Sequence, residues 1–172
     1  MSRFAALDTR FILALAAGEP DAEATIDYLS KTGFVPIITE SVYEELGGLV
    51  HSPDNPAHEN AKHACQWLVT WGILDPPNSQ IDIGTSGINA DKLLEQGLIP
   101  GCTKVEAEML VEASCQNCEL FVTFSTPLLR AEATPLNLAL LEMGLSKVTV
   151  TIASPDAIAA RLGRMQPVTR AH

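Results

Sequence analysis

The chain has 172 residues, a length that suits one domain with a sizeable core. Apolar residues make up 47% and charged residues 19%, which excludes an intrinsically disordered chain. The formal charge of −10 excludes a protein that gathers nucleic acid by general electrostatic attraction, so any such contact has to be local or metal-bridged.

No apolar run approaches the ~20 residues of a membrane helix, and Met1-Ser2-Arg3 leads directly into the first apolar segment. The expectation is a cytoplasmic protein with no membrane partner and with reduced thiols at Cys65, Cys102, Cys115 and Cys118. Cys115-x-x-Cys118 has the spacing of half a zinc site, but the matching pair is missing, so both read as buried thiols.

Phe4 to Leu7 is short and apolar and ends in Asp8, the pattern of a buried parallel strand with a polar residue at its carboxyl edge. Apolar positions 11, 12, 15 and 16 predict a helix over 9–17, broken by Gly18-Glu19-Pro20. A second helix follows over 21–31, with Gly33 as its C-terminal stop. Val35 to Ile38 is the next strand. Ser41-Val42-Tyr43-Glu44 reads as a capping box opening a helix that reaches Leu46 or Val50. Residues 57–71 are helical, and 73–87 are a connection with one short alternating piece, Ile81-Asp82-Ile83. Residues 89–98 form a helix, and Thr103-Lys104-Val105-Glu106 is a second capping box for a helix to Cys115. Leu120 to Thr123 is a buried strand, and Thr126-Pro127 opens a helix with proline at its first turn. A further turn starts at Thr134-Pro135, a β-branched strand covers 148–152, and Ser154-Pro155-Asp156 caps the last helix.

Strands separated by helices imply an α/β fold with a parallel sheet covered on both faces. Residues 1–163 read as a single domain and 164–172 as a flexible tail. Ligands of such sheets gather at the carboxyl ends of the strands, which is where Asp8 and Ser125 fall.

Two segments carry a family resemblance. One is Ala6-Leu7-Asp8-Thr9; the other runs from Glu106 through Ala113 and Cys118 to Val122-Thr123-Phe124-Ser125. Together they resemble a PIN domain, a nuclease family that includes the toxin ribonucleases of bacterial toxin–antitoxin pairs. The family pattern has Asp-Thr after the first strand, a Glu-Leu pair in an early helix, and an acidic residue seven positions before an alanine. A strand ending in Val-Thr with an acidic residue two beyond completes it. The corresponding residues are Asp8, Glu45 with Leu46, Glu106 with Ala113, and Ser125.

The resemblance implies a three-layer α/β/α sandwich with a mostly parallel central sheet. It also implies a ribonuclease in which Asp8, Glu45 and Glu106 hold Mg²⁺ or Mn²⁺, with Ser125 orienting a water. Oxygen-only ligands suit those cations, and a bound metal lowers the pKa of water and neutralises charge on a phosphate. Thr9, Arg10, Lys104, Thr123 and Arg130 would meet the RNA. A homodimer and an antitoxin-like protein are the implied protein partners; Ile12, Leu13 and Leu15 serve either the core or a dimer contact. Two positions depart from the pattern: Glu106 stands for the usual Asp, and Ser125 for an acid.

Simpler roles compete at each position. Asp8 and Ser125 can be N-caps. Glu106 can be the third residue of its capping box. Glu45, and the pair Glu108 and Glu112, can be solvated helix charges, and Arg10, Lys104 and Arg130 scattered surface charge. His51, His58 and His63 have poor spacing for a metal. The missing fourth carboxylate and the acidic charge motivate the alternative function, a non-cleaving PIN-like binding or scaffold protein.

Overall fold

The computed structural model describes residues 1–76 and 83–165. In chain order these form β1 (Arg3–Leu7), α1 (Thr9–Ala16), α2 (Pro20–Lys31), β2 (Phe34–Ile37), α3 (Glu40–Val50), α4 (His58–Trp67), α5 (Ile83–Glu95) and α6 (Lys104–Cys115). There follow β3 (Cys118–Val122), α7 (Thr126–Leu129), α8 (Ala133–Glu142), β4 (Thr151–Ala153) and α9 (Pro155–Met165).

The four strands form one parallel sheet in the order β2-β1-β3-β4. An isolated parallel bridge between Ile37 and Leu74 prolongs the β2 side. Parallel strands need helical crossovers, and those crossovers cover both faces and make the three layers. Ala5, Ala6 and Leu7 in β1 and Phe121 and Val122 in β3 are therefore fully buried, as continuous apolar runs in such a sheet must be. Helices α2 and α9 pack together, with α2 also against β2, while α5 lies on α6 and α6 on β3. Ile12 and Leu15 are core residues, and Leu13 is partly buried.

Several expected boundaries move, each for a local reason. Helix α3 starts at Glu40 with Thr39 as its N-cap, so Ser41 lies inside the helix and opens no capping box. Helix α5 begins at Ile83, ahead of the expected start at 89; positions 81 and 82 lie outside the described residues. Its Gly87 faces α6, where a Cβ would stand in ordinary contact at 3.5 Å from Glu108 Oε1. Packing against α6 here outweighs the poor helix propensity of glycine. Strand β4 starts at Thr151, not at Val148. The Ser146 hydroxyl donates to the Val148 carbonyl (2.7 Å) and accepts from the Val148 N–H, which holds that stretch in a turn. Asn137 takes both the N–H (2.8 Å) and the carbonyl (3.1 Å) of Val150. Helix α9 continues through Met165, so 164 and 165 belong to it, and 166–172 lie outside the described residues.

The α6–β3 connection turns on Asn117, whose φ of +53° is left-handed. Asparagine tolerates that conformation better than most residues, and its side-chain oxygen accepts from Lys147 N–H at 2.9 Å.

Among the described residues, no helix is long and apolar enough to cross a membrane.

Candidate functional site

Strand β1 delivers Asp8 to the carboxyl edge of the sheet, where its backbone N–H donates to the Val122 carbonyl (3.1 Å) as the last rung of the β1–β3 ladder. Its side chain then joins the two loops that leave β1 and β3. Oδ1 accepts from Phe11 N–H (2.7 Å) and so caps α1. Oδ2 accepts from the Thr123 hydroxyl (2.5 Å) and from Phe124 N–H (3.3 Å). The Thr123 hydroxyl in turn accepts from Ser125 N–H (2.9 Å), and Ser125 Oγ accepts from Leu128 N–H (3.4 Å) to cap α7. Both N-cap roles foreseen for Asp8 and Ser125 are present.

This cluster is buried: Asp8 is 7% exposed, Ser125 6% and Thr123 0%. Burial raises the Asp8 pKa above the ordinary value, opposed by the bonds from Thr123, Phe11 and Phe124 and by the nearby charge of Arg10.

Glu45 reaches this cluster from α3. Its Oε2 accepts from the hydroxyl of Thr9, the residue next to Asp8, although the Glu45 side chain is largely exposed. Asp8, Thr9, Glu45, Thr123 and Ser125 are thus brought to one edge of the sheet by three different crossovers.

Glu106 is engaged in a different way. It completes the capping box of α6: its Oε2 accepts from Thr103 N–H (2.7 Å) and the Thr103 hydroxyl (3.2 Å), while its own N–H donates to Thr103 Oγ1 (3.2 Å). Among the described residues, no three His, Cys, Asp or Glu side chains come close enough together to hold a metal ion. The carboxylates Asp8, Glu45 and Glu106 are therefore not gathered into one three-carboxylate ligand set; a smaller set, of one or two carboxylates completed by waters and substrate phosphates, is the usual way Mg²⁺ is held.

The basic residues scatter. Arg10 is exposed, with its guanidinium 5.6 Å from the centre of the Phe124 ring. Lys104 pairs with Asp91 on α5 at 3.2 Å. Arg130 is an exposed C-cap of α7. His51 and His58 bond the carbonyls of Gly47 and Leu49, and His63 lies against Trp67 and Trp71.

One polar residue was misjudged from sequence. Glu112 is no solvated charge: it is 8% exposed and crosses from α6 to the start of α3, accepting from Ser41 N–H (3.0 Å) and the Ser41 hydroxyl (2.8 Å). Thr39 makes no side-chain capping bond, so Glu112 supplies the oxygen that caps α3. Burial raises the Glu112 pKa, opposed by the Ser41 bonds. The available signal was its place within Met109-Leu110-Val111-Glu112-Ala113, a helix turn that is otherwise apolar all round.

No protein-family model matches this chain, and no curated protein does. Among solved structures it is similar to a chain in the crystal structure of VapBC2 from Rickettsia felis bound to a DNA fragment from their promoter. The two are 15% identical with a TM-score of 0.55, over 87% of this chain and 98% of that one. At that identity the likeness is one of fold. The chain has a PIN-like, three-layer α/β/α fold with a parallel central sheet, similar to the fold of that chain.

Proposed function

We propose that this chain is a PIN-like binding module that has given up phosphodiester cleavage and works through a protein partner. One observation carries the reading: both oxygens of Asp8 accept hydrogen bonds from the protein's own donors, Oδ1 from Phe11 and Oδ2 from Thr123 and Phe124. A carboxylate that caps α1 and ties β1 to the β3–α7 loop acts as a structural clasp. Ser125, where the family pattern has an acid, caps α7, and Glu106 is turned onto Thr103. The partner class is suggested by the VapBC2 likeness: a small protein of antitoxin type, folded against this chain. The acidic charge agrees with a protein partner better than with bulk RNA. The test is an RNA cleavage assay at millimolar Mn²⁺ beside co-expression with the product of a neighbouring small gene. A stable complex and no cleavage are expected. Metal-dependent cleavage that Asp8→Asn abolishes would overturn the reading.

A second reading, the metal-dependent ribonuclease, draws on the bond between Thr9 and Glu45, which ties a second carboxylate to the residue that follows Asp8. In that reading Asp8 and Glu45 would hold Mg²⁺ or Mn²⁺, a cation that activates water when bound. Calorimetric titration of Mn²⁺ into wild type and Asp8→Ala separates the two readings.

A further inference from the structure

Helices α3 and α4 pack against each other as an antiparallel pair. Near their loop the His58 ring bonds the Leu49 carbonyl (3.0 Å). At the open end Leu74 is held against β2, its N–H on the Pro36 carbonyl (3.0 Å) and its own carbonyl on Ile38 N–H (3.1 Å). The first turn of α3 and the last turn of α4 therefore lie at the same end of the pair. That end shows large side chains to solvent: Tyr43 is 54% exposed, Trp67 45% and Leu74 50%. Trp67 is backed by Trp71, tilted 33° to it at 6.5 Å, and meets the His63 ring edge-on at 5.7 Å. A single apolar residue on a surface needs no explanation, but tryptophan and tyrosine grouped at one end have the composition of a contact site.

We infer that this face docks an arginine-rich segment of a partner protein. The inference rests on the reading above, that the chain works through a protein partner, and names the chemistry of the partner's surface. Charge decides the occupant. Glu40 and Glu44 stand one helical turn apart on α3, with Tyr43 beside them. Both are exposed, and among the described residues neither is in an ion pair. Asp75, next to Leu74, is likewise exposed and unpaired. After burial, its charge is the second cause that raises the Cys65 thiol, so this carboxylate lies close to α4. Between Lys31 and Lys92 the chain has one basic residue, Lys62, and that one faces Glu59 at 3.5 Å. A guanidinium meets both features of the face. Its plane stacks on tryptophan or tyrosine, and its fork of N–H groups pairs with a carboxylate. A second copy of the chain would set Glu40 and Glu44 against like charges, and an RNA strand would set phosphates against them.

Trp67 and Trp71 are the two tryptophans of the chain, so the intrinsic fluorescence of the whole protein reports on this face. Titration with hexaarginine, in about 0.15 M salt where exposed charges beyond ~8 Å are screened, is expected to change the emission saturably. Hexalysine should bind about threefold more weakly, because an ammonium has no plane to stack. Tyr43→Ala keeps both tryptophans and should weaken hexaarginine by about threefold. Glu40→Gln combined with Glu44→Gln should weaken it by about fivefold. These side chains are exposed, so the variants fold. Glu132→Gln combined with Glu142→Gln removes the same charge from α8, beside the opposite edge of the sheet, and should leave binding unchanged. The inference is overturned if hexaarginine gives no saturable change, if hexalysine matches it, or if the α8 pair weakens binding as much as the α3 pair. It is overturned too if sedimentation of the chain alone shows a dimer that Tyr43→Ala dissolves, or if a single-stranded oligoribonucleotide titrates the emission as hexaarginine does. The titration uses no cognate partner. Absence of any complex on co-expression removes the partner reading, whereas a complex that Tyr43→Ala and the α3 pair leave intact removes this inference alone.

Discussion

Glu112 and Ser41, 71 residues apart in sequence, form a two-pronged contact in which one buried carboxylate takes both the N–H and the O–H of a residue in the first turn of α3. The carboxylate stands where a helix N-terminus favours negative charge. It fastens α6 to the helix that also carries Glu45.

Replacing Glu112 with Ala leaves two buried Ser41 donors without a partner. A loss of about 3 kcal/mol is expected, from a desolvation cost of ~1–3 kcal/mol for each unmet group. Glu112→Gln keeps one acceptor and should lose roughly half as much. Urea midpoints of the three proteins, at equal m-values, measure the difference; no change for the alanine variant would remove Glu112 from the structural core.

Asp8→Ala cuts the α1 cap and both bonds to the β3–α7 loop. It should destabilise the fold by about 3 kcal/mol, combining a lost N-cap with two orphaned donors. Thr103→Ala, which loses only the local capping box of α6, should cost about 1 kcal/mol. The ordering of the two in thermal melts is the check: a milder effect at Asp8 than at Thr103 contradicts the clasp.

The pH dependence of stability follows from the two buried carboxyls. Asp8 and Glu112 both have pKa values raised by burial above the ordinary 3.8 and 4.5. Between the raised values and the ordinary ones, the folded chain binds more protons than the unfolded chain. Stability therefore rises as pH falls through that window, and these groups add no slope above it. Neutralising part of the −10 charge acts in the same direction. Calorimetric melting temperatures should increase as the pH is lowered from neutrality toward the ordinary carboxylate range, with a smaller increase in Glu112→Gln. A monotonic fall over that range would show that the two carboxyls are ionised without penalty.

Thiol reactivity should be ordered by exposure. Cys65 is the exposed cysteine, whereas Cys118 is fully buried and its thiol is pushed up to about 12. Cys102 is raised to about 11, by burial first and then by Glu106. Thiolate is the reacting form, so alkylation with iodoacetamide at neutral pH should reach Cys65 first and Cys118 only on unfolding. Peptide mass spectrometry of a time course reads the order directly.

What could be read from the sequence was local. Asp8 ends an apolar run, so both strand β1 and the cap of α1 were visible in eight or nine consecutive residues, and Thr103 with Glu106 encoded the α6 capping box within one turn. The Ser125 cap was equally near its helix. The rest depended on distant partners. Ser41 looked like an N-cap because serine with a following Glu usually is one, but Glu112 arrives from α6 and the helix starts at Glu40. The Val148–Val150 stretch had every mark of a strand until Ser146 and Asn137 took its backbone groups. For the site, the family pattern put Asp8, Glu45, Glu106 and Ser125 together, but no spacing rule shows that the oxygens of Asp8 and Glu106 are already hydrogen-bonded to the protein's own donors.

The Asn137–Val150 pairing has a bearing on how copies of this protein behave in company. Thr123 N–H bonds the Ala153 carbonyl, so by the alternation of a strand Thr151 and Ala153 face β3 while Val150 and Ile152 face outward. Strand β4 is the last of the sheet, and its outward edge is a template on which a foreign strand could grow. The Asn137 amide, offering a donor and an acceptor as a peptide group does, fills the first place in that template. One side chain thus takes, at Val150, the place that a neighbouring strand would fill just ahead of the three residues of β4.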